Sequence, residues 1–324
     1  MKYKILMIFL LIALGASLPF VASAKQQVKA NGVLLCECCG QPNCECCTET
    51  DTSSKTPKIA ECGFSRPIRV ATTSNNRPFG WVEWVRGGGG ASLVSKGFGL
   101  EVFKELATKL KLRYQVFGYA TDQEAINELK KGNLDLLIGI YTPNTTIGRG
   151  AMPIFPAMFK NVFTVYYPKD RAFEVQNYTS LNDKKGVMRR VENLYPLFSQ
   201  HITEEMSISL ETTESALKKL LNQEADYLIG SPYSMEAELR RYKLHEEIIP
   251  SDKTLLSATM FMVLTRATDC FKLKNMLGDA LTEYNSDPKR ADKQIRQVID
   301  EWGERFRDAP GMKIPDRNSE EDND

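Results

Sequence analysis

The chain has 324 residues, of which 42% are apolar and 26% are charged, so it is long enough for two lobes with separate hydrophobic cores. Its formal net charge is +1, and its lysines and arginines are spread along the sequence. This balance provides no basic patch, so no nucleic-acid partner is expected.

Residues 1–24 have the pattern of a secretory signal peptide. A basic start precedes an apolar centre, and Ala22-Ser23-Ala24 provides a small-residue cleavage site. Pro19 interrupts the apolar run before it reaches the ~20 residues of a spanning helix, which argues against the alternative of an uncleaved anchor. We therefore expect a periplasmic or secreted protein in an oxidising milieu.

Residues 25–61 form a cysteine-rich leader that lacks enough large apolar residues for a core. Two CECC units flank a Gly-Gln-Pro-Asn turn, and their clustered thiolates would suit Zn or Cu(I). The alternative is a disulfide-stapled or heterogeneously oxidised leader, which an oxidising milieu favours. The spacing is not that of a zinc finger. The candidate metal ligands are Cys36, Cys38, Cys39, Cys44, Cys46 and Cys47.

The folded part is predicted to begin near Cys62. Residues 68–72 read as a strand, a turn-rich loop over 75–84 follows, and the glycines at 87–90 read as a flexible loop. Leu100, Phe103 and Leu106 lie on one face of a predicted helix, and residues 112–116 alternate as the next strand. This βαβ order predicts a parallel sheet.

A sixteen-residue pattern occurs twice. Residues 125–140 read AINELKKGNLDLLIGI and residues 216–231 read ALKKLLNQEADYLIGS. Each copy predicts a helix that leads into a buried strand, so the chain is expected to contain two lobes of the same α/β construction. Ligands in open α/β sheets bind at the carboxyl ends of the strands, where the loop with Arg149 follows the first copy.

The second half of the chain continues this pattern. Residues 161–167 are predicted to carry the chain into the second lobe, and residues 260–265 form a further apolar strand. Residues 273–284 mark an amphipathic helix, and a last helix runs through Trp302. Residues 306–324 are predicted to be an acidic disordered tail.

The order of these segments resembles the family 3 extracellular solute-binding proteins of bacterial polar amino acid ABC importers. The resemblance covers about residues 64–303 and is carried by IRVATTSNNRPFGWV, GFGLEVFKEL, INELKKGNLDLLIG with Thr146 to Arg149 as TxxR, and SLNDKKGV. It implies a two-lobed α/β periplasmic-binding-protein-like (type II) fold with two hinge crossings. Lobe 1 would comprise 62–158 and 258–305, and lobe 2 would comprise 159–257.

The resemblance also implies a ligand site between the lobes. Arg149 would clamp the ligand carboxylate, since a guanidinium offers a rigid fork of donors. Alternatively it is a surface arginine or part of an ion pair. Hydroxyl donors and an aromatic wall would come from Thr142, Thr145, Thr146, Phe79, Trp81 and Tyr141, although each aromatic ring could equally be ordinary core.

Two positions depart from the family pattern. The strand that ends the second repeat usually delivers an aspartate for the ligand ammonium, and Ser231 occupies that position. Where the family usually has a helix that begins with small residues, this chain has MRRVENLYP. Its Arg189 and Arg190 either face an acidic ligand or are solvated. Glu192 could replace the missing aspartate. These changes leave room for a carboxylate ligand without an amine.

The family architecture places Cys62 and Cys270 in the same lobe, so a disulfide between them is expected. It would contribute at most about 4 to 5 kcal/mol in the chain-entropy model. The alternative is that Cys62 pairs within the upstream cluster.

The predicted function is capture of a small amino acid or related organic acid for an ABC permease in the membrane, by a monomer that is not an enzyme. Beyond the metal option at the cysteines, no cofactor is expected. One alternative is an accessory or sensory module that has lost transport. Another is a dehydratase-like enzyme, for which a cleft acid is needed, with Glu101, Glu192 and Glu204 as candidates. His201 and His245 resemble neither a triad nor a metal site.

Overall fold

The computed structural model describes residues 62–87, 90–141, 147–190 and 195–313. All of them belong to one compact unit, Lys58–Asp324. The predicted signal peptide, the cysteine cluster at 36–47, the threonines at 142, 145 and 146, and Glu192 lie outside the described residues. Within the described ranges, no helix combines the length and the apolar character needed to cross a membrane.

The described residues form strands and helices that alternate over most of the chain. The strands are β1 (Ile68–Thr72), β2 (Asn75–Asn76), β3 (Gly80–Gly87), β4 (Gly90–Lys96), β5 (Tyr114–Val116), β6 (Leu136–Ile140), β7 (Ala151–Pro153), β8 (Phe159–Pro168), β9 (Lys185–Arg189), β10 (Ser207–Glu211), β11 (Tyr227–Gly230) and β12 (Ile248–Thr265). The helices are α1 (Phe98–Lys109), α2 (Asp122–Lys131), α3 (Tyr195–Phe198), α4 (Thr213–Leu221), α5 (Pro232–Tyr242), α6 (Lys274–Tyr284) and α7 (Pro288–Glu304).

The main sheet has two parallel regions joined by antiparallel strands. Its strand order is β10, β9, β11, β8, β12, β6, β1, β5, with β7 also paired to β12. Strand β1 runs parallel to β5 and β6, as the sequence predicts, and we call this region with its helices the first half. Strand β9 runs parallel to β10 and β11, and this region with α4 and α5 is the second half.

Two long strands connect the halves. Strand β8 leaves the first half and pairs antiparallel with β11 of the second. Strand β12 pairs with β8 from Ile248 to Met260 and then with β6 and β7 from Phe261 to Thr265, so one strand spans both regions. These are the two crossings expected between the lobes, and the predicted strand at 260–265 is the last third of β12.

Both copies of the repeated pattern form a helix followed by a buried strand, which confirms the prediction. The first copy is α2 and β6, and the second is α4 and β11. Ala125, Leu129, Ala216 and Leu220 are fully buried, as the helical spacing of the apolar residues requires.

The segment around the tryptophans differs from its prediction as a turn-rich loop. Strands β2, β3 and β4 form a separate three-stranded sheet, in which Trp81 pairs with Lys96 and Gly87 with Gly90. The glycine-rich turn hides the signature of a hairpin, because glycine itself is a poor strand former. Trp84 is 70% exposed on this hairpin.

The folded part extends past the predicted start of the tail at 306. The ring of Phe306 lies 4.6 Å from that of Trp302, centroid to centroid. The backbone amide of Met312 donates a 3.0 Å hydrogen bond to the carbonyl of Tyr242. Residues 306–313 therefore pack onto α5 and α7.

A disulfide and a buried carboxylate stabilise the amino-terminal edge of the first half. Cys62 is bonded to Cys270, with a Cα to Cα distance of 5.1 Å. Nearby, Asp135 is fully buried and accepts hydrogen bonds from Arg66 at 2.7 Å and Arg69 at 2.8 Å. Burial alone would raise the pKa of Asp135, but the two arginines outweigh it and lower this pKa to about 2.

Candidate functional site

A cavity of about 130 Å³ lies between the two halves. It is formed where β1, β9 and β10 end and where α2 and α4 begin, so the carboxyl ends of strands from both halves meet around it. This volume is below the ~300 to 1,000 Å³ of pockets for drug-sized ligands, so the cavity suits a small molecule. It is lined by Ser74, Asn75, Asp122, Arg189, Arg190, Glu211, Thr212 and Thr213.

The wall from the first half carries a buried carboxyl group. Asp122 is the first residue of α2, is 6% exposed, and accepts hydrogen bonds at Oδ1 from the Ser74 amide at 2.5 Å and hydroxyl at 2.8 Å. The hydroxyl of Thr121 caps the helix by accepting a hydrogen bond from the Glu124 amide. Asp122 is therefore not needed as the cap, and its side chain bonds to Ser74 instead. Burial raises the pKa of Asp122, and the bonds from Ser74 offset only part of that rise.

The wall from the second half carries two arginines. Arg189, the last residue of β9, is only 6% exposed, and its guanidinium makes no hydrogen bond or ion pair within the described part of the chain. Arg190 is exposed; its amide donates to the Glu211 carbonyl at 2.8 Å and its guanidinium to the Leu210 carbonyl at 3.3 Å. Arg189 is thus a buried cation that faces a cavity.

The second acid that lines the cavity, Glu211, is already paired. Glu211 accepts hydrogen bonds from Lys219 and, at 2.8 Å, from the hydroxyl of Ser215, and the Lys219 bond lowers the pKa of Glu211. Glu211, the last residue of β10, is therefore ionised and bonded to two side chains of α4. Beside it, Thr212 caps α4 by accepting from the Ser215 amide, so the positive end of the α4 dipole also faces the cavity.

A smaller pocket of about 10 Å³ adjoins Arg189 and contains Ser231. The Ser231 hydroxyl accepts a 3.4 Å hydrogen bond from the Ser234 amide and caps α5, so it serves the helix. Asn76 also lines this pocket, and Asn76 and Asn161 donate hydrogen bonds to the Tyr141 hydroxyl at 3.4 and 2.8 Å. Burial raises the pKa of Tyr141 to about 12, so this hydroxyl stays neutral.

The structure brings two of the predicted ligand residues, Arg190 and Ser231, to the cleft. Arg149 lies exposed on a 3-10 turn, Gly148–Gly150, and lines neither pocket. Its role as carboxylate clamp stays a prediction without support from this geometry. Thr142, Thr145 and Thr146 fall outside the described residues.

The two aromatic residues proposed as a wall are core residues. Phe79 is 1% exposed and packs edge-on against Phe98, with their ring centroids 6.4 Å apart. Trp81 is 4% exposed and packs against Trp302 at 5.5 Å. Phe79 also meets the ring of Tyr233 on α5 at 6.3 Å, so it packs at the boundary of the two halves.

Sequence reasoning missed Ser74 and Asp122. Their signal was present in part, because Asp122 follows the capping residue Thr121 directly before the first repeat. The distance of 48 residues between Ser74 and Asp122 hides their pairing from any local pattern.

In the described chain, one group of side chains has the spacing of metal ligands: Cys62, Asp135 and Cys270, with donor atoms within 4.8 Å of one another. Its two sulphurs form the disulfide, and its carboxylate is bonded to Arg66 and Arg69. This group therefore does not suit a metal. The proposed thiolate site at 36–47 lies outside the described residues.

The architecture is similar to that of several solved solute-binding domains. An amino acid ABC transporter substrate-binding protein from Streptococcus pneumoniae, solved with L-arginine, superposes with a TM-score of 0.55 at 14% identity over 73% of this chain and 95% of that one. The GLUR0 ligand-binding core, solved with L-glutamate, gives 0.54 at 14% identity over 75% and 99% of the two chains.

A histidine kinase sensor domain with similarity to periplasmic binding proteins gives a TM-score of 0.53 at 15% identity over 73% of this chain and 96% of that one. No protein-family profile and no curated protein matches the sequence. The chain has the two-lobed periplasmic-binding-protein-like fold. Its membership of family 3 stays a prediction.

Proposed function

We propose that the chain is an extracytoplasmic solute-binding protein that holds a small carboxylate-bearing ligand between its two halves. The observation that carries this proposal is Arg189, a guanidinium that is 6% exposed, lines the cavity and has no ion-pair partner among the described residues. A buried charge without a partner costs several kcal/mol, and a bound carboxylate offsets that cost through a bidentate pair.

The surroundings of Arg189 support an anion. The amino end of α4 contributes its dipole to the same cavity, and Arg190 adds a second cation at its rim. Glu211 is neutralised by Lys219 and therefore opposes an anion less than a free carboxylate would. The solved neighbours contain L-arginine and L-glutamate, which supports an amino acid or a related organic acid.

The proposal is tested by thermal unfolding and calorimetric titration of the purified protein with amino acids, dicarboxylates, keto acids and amines. A ligand at a hundredfold excess over its dissociation constant should stabilise the fold by about 2.7 kcal/mol. This gain should vanish in Arg189→Met. It should persist in Arg86→Met, because Arg86 is an exposed arginine on β3 away from the cavity.

Arg149→Met separates the two candidate clamps. If Arg189 holds the carboxylate, this variant binds as the wild type does. Loss of binding in Arg149→Met with retention in Arg189→Met would return the clamp to Arg149 and refute the proposed site. A folded protein that responds to no carboxylate in the panel would refute the proposed function.

We propose an ABC permease as the partner, as for the substrate-binding protein from Streptococcus pneumoniae. A sensory role is the alternative, since a histidine kinase sensor domain shares the fold. Deletion of the gene should lower cellular uptake of the labelled ligand. Unchanged uptake with loss of a ligand-dependent transcriptional response would favour sensing.

A dehydratase-like enzyme is a second candidate because Asp122 is a cavity acid. Its buried carboxyl has a raised pKa and could protonate a leaving group. Incubation of the bound ligand with protein, followed by NMR, should show unchanged ligand if the protein only binds. Dehydrated product that disappears in Asp122→Asn would establish the enzyme.

A further inference from the structure

We infer that the ligand is a zwitterion bound with its carboxylate on the second half, at Arg189, and its ammonium on the first half, at Asp122. The inference rests on the proposed binding function and adds to it the ligand class and the orientation. It follows from two buried side chains that face one cavity from opposite walls and do not pair with each other.

Asp122 has one oxygen in use and one available. Both hydrogen bonds from Ser74 reach Oδ1, and Oδ2 accepts none from the described residues. The side chain is 6% exposed, and the surface that remains faces the cavity. Because the pair of Ser74 bonds fixes the carboxyl plane, Oδ2 is preorganised for a donor that comes from the ligand.

Arg189 presents the opposite charge from the other wall. No carboxylate lies within ion-pair distance of its guanidinium among the residues described, although Asp122 and Glu211 line the same cavity. A ligand that carried only a carboxylate would satisfy Arg189 but bring a second anion near Asp122. A ligand with both charges satisfies both walls at once and favours the closed arrangement of the halves.

This orientation is the reverse of the one that the family resemblance implies. There the carboxylate would lie on Arg149 of the first half and the ammonium on an aspartate at position 231 of the second. Here Arg149 is exposed and does not line the cavity, and Ser231 caps α5. The cation that binds the carboxylate lies on the second half, and the acid that binds the ammonium lies on the first. The absence of an aspartate at position 231 therefore does not remove the site for the amine.

The test uses matched probes. L-alanine is compared with propionate, which lacks the amine, and with ethylamine, which lacks the carboxylate. L-glutamate is compared with glutarate, which lacks the amine, and with γ-aminobutyrate, which lacks the α-carboxylate and keeps the side-chain carboxylate. Binding to wild type, Asp122→Asn and Asp252→Asn is measured by calorimetry; Asp252 is an exposed aspartate on β12 and lines neither pocket.

For at least one of the two sets, the amino acid should bind wild type at least about tenfold more tightly than its parent acid, as expected for a charge-assisted hydrogen bond. This ratio should fall to about one in Asp122→Asn and stay unchanged in Asp252→Asn. Asparagine can still accept both Ser74 bonds, so the substitution changes charge with little change of shape.

Different experimental outcomes would overturn the inference and the proposed function. Equal affinity of parent acid and amino acid, lost in Arg189→Met, would leave a carboxylate receptor and overturn the zwitterion. An amine preference that survives in folded Asp122→Asn would overturn the assignment to Asp122. If the variant does not fold, the wild-type ratio alone decides the ligand class. Binding of none of these probes, nor of any other amino acid with its parent acid, refutes both.

Discussion

The Ser234 hydroxyl donates a 2.7 Å hydrogen bond to the backbone carbonyl of Arg77, and this bond joins the second half of the molecule to the first. Next to it, the rings of Phe79 and Tyr233 meet edge-on at 6.3 Å across the same boundary. The two halves therefore touch through polar and aromatic contacts beside the cavity, and their separation must break both.

Ser234→Ala should favour a more open arrangement. The substitution removes the hydrogen-bond partner of the half-buried Arg77 carbonyl, which costs about 1 kcal/mol. We expect a lower free energy of unfolding in urea and a larger radius of gyration by small-angle scattering. Ser286→Ala is the control, since that exposed hydroxyl bonds only within its own turn. Equal radii for both variants would contradict the prediction.

Arg189→Met should not destabilise the ligand-free protein. Arg189 has no partner in the described chain, so methionine removes an uncompensated buried charge, and the free energy of unfolding should be unchanged or rise by about 1 kcal/mol. Arg69→Met is the comparison, because Arg69 bonds to the buried Asp135 and its loss should destabilise. Chemical denaturation measures both. A destabilised Arg189→Met would indicate a structural arginine instead.

Asp135→Asn should lower the free energy of unfolding by about 3 kcal/mol at neutral pH. The fully buried carboxylate neutralises Arg66 and Arg69. In the variant Arg69 loses its counter-ion, and Arg66 keeps only Asp269 at 3.3 Å. Asp252→Asn, on the surface, should change stability little.

The same carboxylate predicts a pH dependence. The pKa of Asp135 is held at about 2 in the folded state, below its ordinary value of about 4. Its contribution, about 2 kcal/mol, is therefore present above pH ~4 and is lost as the pH falls towards 2. Wild type should lose more stability over this window than Asp135→Asn. Parallel acid denaturation curves would disprove this.

Gly97→Ala should destabilise the fold by about 3 kcal/mol or more. Gly97 has φ of 116°, and an added Cβ would lie 2.7 Å from the carbonyl oxygen of Phe79. The free-energy cost of the positive φ adds to the cost of this close contact with the main chain. Gly150→Ala is the control, because its Cβ would meet only Lys130 Cγ at 3.5 Å. Thermal unfolding compares them, and similar melting temperatures would count against the predicted strain.

The fold was predictable from the sequence because its repeated unit is local. Ala125 and Leu129 lie one helical turn apart and lead into β6, so periodicity alone identifies helix and strand. The hairpin of β3 and β4 was missed because four glycines interrupt its alternation. Local patterns describe elements well when each element carries its own apolar face.

The site was harder to predict because its residues come from separate segments. Arg149 matches a family motif but lies on an exposed turn. Arg189 lines the cavity, although it belongs to a segment that matches no motif. Burial distinguishes Arg189 from Arg190, and burial depends on strands far apart in sequence. Asp122 is oriented in the cavity by Ser74, which follows strand β1 and is 48 residues away in sequence.

The bond between Cys62 and Cys270 spans 208 positions and encloses all of the second half. Proteases that cut any exposed loop between these residues would therefore leave two fragments held by one covalent link. Such a nicked molecule should migrate as a single band under non-reducing electrophoresis and separate on addition of a reductant. A protein nicked in this way would keep its two pieces together and retain a route back to the folded state.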